Sequence, residues 1–163
     1  MMLLLNVYRM NKAYIVILDN TLITTRSGKS FPLHSEDWKY KYEWYSKLGD
    51  AVKEGYKIVI VDNQFDAGTT GYVSDNLFNK KIEKICTIIE KELSLPTNSI
   101  ITNFAFDDTD AYRCIPNPGL LYEIATEYDI LLYNSILVGS TDEHIELAKL
   151  SGINNYYDVK DIF

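Results

Sequence analysis

Cysteine is scarce in this 163-residue chain. Cys86 and Cys114 are too few for a disulfide framework or a four-thiolate zinc site, and both read as unpaired thiols of a reducing, intracellular compartment. Positive charge is also short: 16 Lys and Arg stand against 23 Asp and Glu, a net charge of −7. That balance disfavours broad nucleic-acid binding, which needs basic surface to displace counterions, though a local basic patch stays open. No apolar run approaches the roughly 18 residues of a membrane span. Met1–Leu5 is too short for a signal-peptide core and lacks a basic flank. Repeats, low-complexity tracts and linkers are absent too, so the expectation is one soluble domain.

Apolar runs of four to six residues alternate with longer segments of helical period. This pattern predicts an α/β fold, a three-layer sandwich around a mainly parallel sheet. Strands are expected at Tyr14–Leu18, Lys57–Val61, Ile100–Ala105 and Ser135–Val138, with a short last one near Asn155–Tyr157. The clearest helix spans about Ser74–Leu93, with Leu77, Phe78, Ile82, Ile85, Ile89 and Leu93 on one face and Lys and Glu on the other. A second should start at Pro118, capped by Asn117. A third should run from about Thr141 to Leu150 and stop at Gly152. Residues 1–12 read as an extension, with Met10 an alternative start that leaves 1–9 as an extension or an added edge strand. Residues 13–163 form the domain, with a turn-rich flap at about 24–45.

Ligands of open parallel sheets sit beyond the carboxyl ends of the strands. That directs attention to residues 17–21, 62–64, 105–115 and 139–144. The first strand, Ile15-Val16-Ile17-Leu18, runs into Asp19-Asn20-Thr21-Leu22-Ile23. Further on come Arg26-Ser27-Gly28-Lys29, Phe31-Pro32 and Asp37-Trp38-Lys39, then Gly55-Tyr56-Lys57 leading to Asn63-Gln64. Asp110-Ala111-Tyr112-Arg113, Val138-Gly139, Ile145–Ile153 and Tyr156–Phe163 complete the series. In order and spacing these segments resemble the haloacid-dehalogenase (HAD) superfamily, and within it the polynucleotide 3′-phosphatase branch of nucleic-acid end repair, over about residues 13–163.

That resemblance implies a D-x-D-x-T motif whose first aspartate attacks phosphorus and whose second is the general acid/base. Here the nucleophile position is Ile17, which has no lone pair to offer; Asp19 survives without a nucleophile to serve. The family's second motif ends its strand in Thr or Ser, and this chain has Asp62. A carboxylate about 4 Å from a phosphate would be repelled by up to roughly 4 kcal/mol per charge pair at an effective dielectric of 20, unless protonated or turned away. The third-motif lysine falls at Cys114 or Ile115, and no lysine stands between Lys91 and Lys149; a substitute from elsewhere would need an unusual reach. The fourth motif implies Gly-Asp and a second aspartate four residues on, holding Mg²⁺. Here the residues are Ser140 and His144, so the magnesium site is expected to be lost and no cofactor retained.

Each residue also has a plainer reading. Asp19 suits a turn, and Asp142 suits the first turn of a helix. Ser140 with Glu143 fits a capping box. His34 and His144 lack ligand-like neighbours, and Cys114 lacks a partner base. The aromatics Trp38, Tyr40, Tyr42, Trp44 and Tyr45 suit either a partner surface or core packing. The expectation is an inactive, HAD-like protein that binds other proteins as a subunit or scaffold. Non-hydrolysing binding of a nucleic-acid end or nucleotide through Lys29, Asn63, Gln64 and Arg113 is the alternative. A rewired phosphatase using Asp19, Asp62 and Asp142 is a further one.

Overall fold

The computed structural model describes residues 10–65 and 74–163, so the expectation for residues 1–9 lies outside it. Five strands, β1 (Lys12–Ile17), β4 (Tyr56–Asn63), β5 (Ile101–Ala105), β6 (Ile136–Gly139) and β7 (Asn155–Asp158), form one sheet in the order β5-β4-β1-β6-β7. Every pairing in it is parallel. A small antiparallel pair, β2 (Ile23–Thr24) with β3 (Lys39–Tyr40), carries the flap. Lys12 pairs with Tyr56 and Asn11 bridges Ile130, so the sheet begins just before the expected boundary at residue 13.

The central strand explains the layering. Its side chains alternate across the sheet, as any strand's must. Tyr14, Val16 and Leu18 enter one apolar layer with Trp44, Leu48, Phe78, Ile82 and Ile85. Those partners belong to helices α1 (Trp44–Lys53) and α2 (Asp75–Glu92). Ala13, Ile15 and Ile17 enter the other layer with Leu120, Leu121, Ile124 and Leu147. These come from α3 (Gly119–Glu127) and α4 (Asp142–Ser151). Both faces of β1 are covered, which is why its sequence is continuously apolar rather than alternating.

Helix α2 follows the expected span closely: Ser74 caps its first turn by accepting from the Leu77 amide, and Leu93 follows its last residue. Leu77 itself is exposed, however, and the buried stripe runs through Phe78, Lys81, Ile82, Ile85 and Ile89. The start of α3 differs from expectation. Pro118 is the cap position, no side chain caps the helix, and Gly119 is its first residue. The Gly119 amide donates to the Tyr112 carbonyl at 3.0 Å, and a Cβ at 119 would collide with that carbonyl. The preceding loop thus takes the place expected for Asn117. Among the described residues no helix is long and apolar enough to cross a membrane.

Within the flap, Asp37 is buried and accepts from the Ser27 amide (2.8 Å), the Ser27 hydroxyl (2.7 Å) and the Leu33 amide (2.9 Å). These donors, the Leu33 amide first, hold its carboxyl down at about 2. Arg26 Nε donates to the Trp38 carbonyl at 2.7 Å. The flap is therefore cross-tied, and it ends as α1 begins at Trp44.

Candidate functional site

At the end of β1 the chain turns sharply: the amides of Leu22 and Ile23 donate back to the carbonyls of Ile17 and Leu18. Asn20 takes the left-handed conformation at φ 57°, which its short polar side chain tolerates better than most. Ile17 is fully buried in the layer under α3 and α4. The turn presents Asp19 instead. One carboxylate oxygen of Asp19 accepts from Gln64 Nε2 at 2.8 Å, and the other lies 3.8 Å from Lys81 Nζ. Lys81 is only 4% exposed, so a buried cation does reach the strand ends, from α2. From the sequence alone, the lysines of this helix are expected on its outer face. Yet Lys81 stands three residues after Phe78 and four before Ile85, on the apolar stripe, and that position was the available signal.

Asp62 ends β4 beside this turn, with both carboxylate oxygens engaged. Oδ2 accepts from the Asp19 amide and Oδ1 from the Asn63 amide, each at 2.8 Å. Burial, then the nearby Asp19 charge, push its carboxyl well above the ordinary range, while the two amides and Lys81 oppose that rise. The carboxylate has turned back onto the backbone of the strand ends. Beneath the flap, Asp19, Ile23, Thr25, Pro32, Trp38 and Lys81 line a cavity of about 10 Å³, room for roughly one water.

The third side of the site comes from β6 and α4. Ser140 Oγ accepts from Thr21 Oγ1 at 3.2 Å. The helix cap is Thr141 rather than Ser140, and its capping partner is His144 rather than Glu143. His144 Nδ1 accepts from the Ser140 and Thr141 amides at 3.0 and 3.2 Å. Gly139 permits this approach, since a Cβ there would lie 2.5 Å from His144 Cβ.

Burial drives the His144 imidazole down to about 4, against a smaller opposing pull from Asp158. A base whose folded pKa lies below its unfolded value stabilises the fold fully above about 6.5, and that contribution is lost as pH falls towards about 4. The loss should reach about 3 kcal/mol. Urea denaturation from pH 7 to 4.5 should show this slope in the wild type and a flatter one in His144→Asn. Asp62 contributes the opposite slope to both proteins, so the difference between the two curves is the diagnostic quantity.

Other expected contacts are committed elsewhere. The Asn63 side chain exchanges two hydrogen bonds with the Ile115 backbone, at 3.1 and 2.9 Å. Arg113 Nη2 donates to Asn103 at 2.7 Å, and its Nε lies 3.2 Å from Glu123. These contacts take Arg113 to β5 and α3. Cys114 Sγ lies 3.0 Å from the Asp107 carbonyl, and burial with nearby aspartates raises its thiol pKa, the wrong direction for a nucleophile. Lys29 is exposed on the flap. Trp38, Tyr40 and Trp44 are core residues, with Trp44 Nε1 donating to the Thr21 carbonyl at 3.0 Å, so they do not form one exposed aromatic stripe. Tyr42 and Tyr45 are exposed.

Among the described residues no three His, Cys, Asp or Glu side chains converge as a metal-holding group. Around Asp19 the donors are its own carboxylate, bonded to Gln64 and close to Lys81, the Asp62 carboxylate with both oxygens on backbone amides, a hydroxyl, and a histidine nitrogen bound to two amides. This set does not fit an ion that prefers several hard carboxylate oxygens.

A parallel sheet between two helical layers, with its polar site at the tips of β1, β4 and β6, is the architecture of HAD-like phosphatases. A HAD-like phosphatase from Mesorhizobium loti superposes with a TM-score of 0.70 at 18% identity, covering 90% of this chain and 71% of that one. The D,D-heptose 1.7-bisphosphate phosphatase of B. bronchiseptica, solved with magnesium and phosphate, gives 0.67 at 18% identity, covering 86% and 77%. A chain of the Pnkp1/Rnl/Hen1 RNA repair complex gives 0.53 at 15% identity, covering 91% of this chain and 42% of its own length. The family model described as polynucleotide kinase 3 phosphatase matches residues 12–151, and the chain belongs to that family.

Proposed function

We propose that this chain is a catalytically inactive member of its family, retained for binding protein partners as a subunit or scaffold of a larger assembly. The observation that carries the first half is the Asp62 carboxylate seated on the Asp19 amide at 2.8 Å, beside a fully buried Ile17. An incoming phosphate would meet a carboxylate where it needs donors, and no carboxylate stands at position 17 to attack it. Loss of the magnesium site is part of the same proposal, supported by the donor set around Asp19.

For the second half, the support is a structural neighbour's company and an exposed surface. The neighbour in the Pnkp1/Rnl/Hen1 complex works within a multi-protein assembly. On this chain Tyr42 and Tyr45 are exposed at the entrance to α1, and tyrosines suit protein interfaces. Nucleic-acid-end binding is less well supported, because Asn63, Gln64 and Arg113 already bond within the protein.

Assays with Mg²⁺ on a 3′-phosphorylated oligonucleotide and an aryl phosphate should detect no turnover. Turnover that disappears in Asp19→Asn would overturn the proposal. Affinity purification from the native source should recover a protein partner that is lost on replacing Tyr42 and Tyr45 with serine. Recovery unaffected by those changes would exclude this surface.

A further inference from the structure

Away from the strand ends, a cleft of about 300 Å³ opens between α1 and the end of α2. Tyr45, Gly49, Val52 and Leu93 give it an apolar wall, and Asp50, Lys53 and Glu92 stand around it. Asp50 and Lys53 offset one another at 3.8 Å, which leaves Glu92 as the unbalanced charge of the cleft. One Glu92 carboxylate oxygen, Oε2, is shut off from water and accepts no hydrogen bond. The hydroxyl of Tyr40, whose pKa is raised by burial and then by the nearby Glu92 charge, is unbonded as well. Helix α1 ends at Lys53 and α2 at Glu92, so two helix carboxyl ends, where a cation is favoured, border the same cleft.

Gly49 bears on what the cleft is for. It lies within α1 without a positive φ, and a Cβ there would meet only Leu93 Cδ2, at an ordinary 3.5 Å. Glycine weakens a helix interior relative to alanine, and neither backbone nor packing requires it here. Its effect is to keep the apolar wall of the cleft open.

We infer that this cleft receives an arginine side chain of a protein partner, with the guanidinium on the Glu92 carboxylate and the aliphatic stem along Val52 and Leu93. Arginine fits better than lysine because its planar fork can give two hydrogen bonds to one carboxylate and stack on the exposed ring of Tyr45. A basic partner also complements a chain of net charge −7. This inference rests on the reading of Tyr42 and Tyr45 as a partner surface, and it names the chemistry that docks beside Tyr45.

The probe is the tripeptide Leu-Arg-Leu, acetylated and amidated at its ends, titrated into the ¹⁵N-labelled full chain. It should shift the amides of Tyr45, Gly49, Glu92 and Ser94, with a dissociation constant on the order of 1 mM. The citrulline analogue, similar in shape and uncharged, should bind about tenfold more weakly. Glu92→Gln should weaken binding of the arginine tripeptide to a similar extent. Gly49→Ala should melt about 2 °C higher than the wild type and yet bind about threefold more weakly, which separates lost binding from lost folding.

Equal binding of the citrulline analogue, shifts scattered over the acidic surface, or unchanged affinity in either variant would overturn the inference. So would free L-arginine binding as tightly as the tripeptide, because the occupant would then be a small molecule. The titration needs no native partner, so it can fail while affinity purification succeeds, and the reverse.

Discussion

Ile17→Asp, which puts an aspartate where the family resemblance implies a nucleophile, is expected to destabilise the protein by about 4 kcal/mol or more and to yield no phosphatase activity. Ile17 is 0% exposed and packs in the layer that includes Ile15, Val61, Leu120 and Leu147. Replacing it removes a fully buried aliphatic side chain and places a carboxyl group among apolar neighbours. The group would stay protonated at neutral pH and so be a poor nucleophile. The Asp62 carboxylate would still occupy the Asp19 amide, and Ser140 and His144 would still stand at the fourth motif. Urea denaturation and phosphate release from the same preparation check both halves. A variant as stable as the wild type that turns over substrate would show that the site is intact but for one residue.

Lys81→Met should cost about 2 kcal/mol at neutral pH, less than the 3–5 kcal/mol typical of breaking a fully buried ion pair. The discount reflects the 3.8 Å separation and the 30% exposure of the Asp19 side chain. Methionine fills the same stem volume, so what is lost is mainly the charge that offsets Asp19 and Asp62. An acid whose folded pKa is raised is more favourable to the fold when protonated, and that contribution fades as pH rises through the raised value. Lys81 holds the Asp62 value down, so its removal should widen this window, and the stability deficit should grow as pH rises from about 4. Adding Asp62→Asn to Lys81→Met should recover part of the loss, giving a coupling energy of about 1 kcal/mol. Additive effects would mean that Lys81 serves only as packing.

The architecture was legible because it follows from local periodicity. The strand positions emerge from β-branched runs, and α2 is bounded by a serine cap and an apolar stripe that a reader can count. Discrepancies arise where a nearby group other than the expected one takes the capping role. Gly119 answers to Tyr112, and the α4 cap uses His144 instead of Glu143, since the Ser140 and Thr141 amides bond its imidazole. The aromatic run at 38–45 divides as well: β3 and α1 turn Tyr40 and Trp44 inward, Trp38 packs with them, and Tyr42 and Tyr45 are left outside.

By itself, the sequence determined the α/β layering, the family resemblance, and which residue types stand at the four motif positions. These are properties of patterns along the chain, and hydrophobic period and residue identity carry them. Only the tertiary structure decided what those residues do together. It brings Lys81 from α2 to Asp19, turns Asp62 onto the amides of two strand tips, and buries Ile17 as core. The physical reason is that hydrogen bonds and charge pairs act across a few ångströms of space, and residues 19, 62 and 81 become neighbours only once the sheet and α2 have packed.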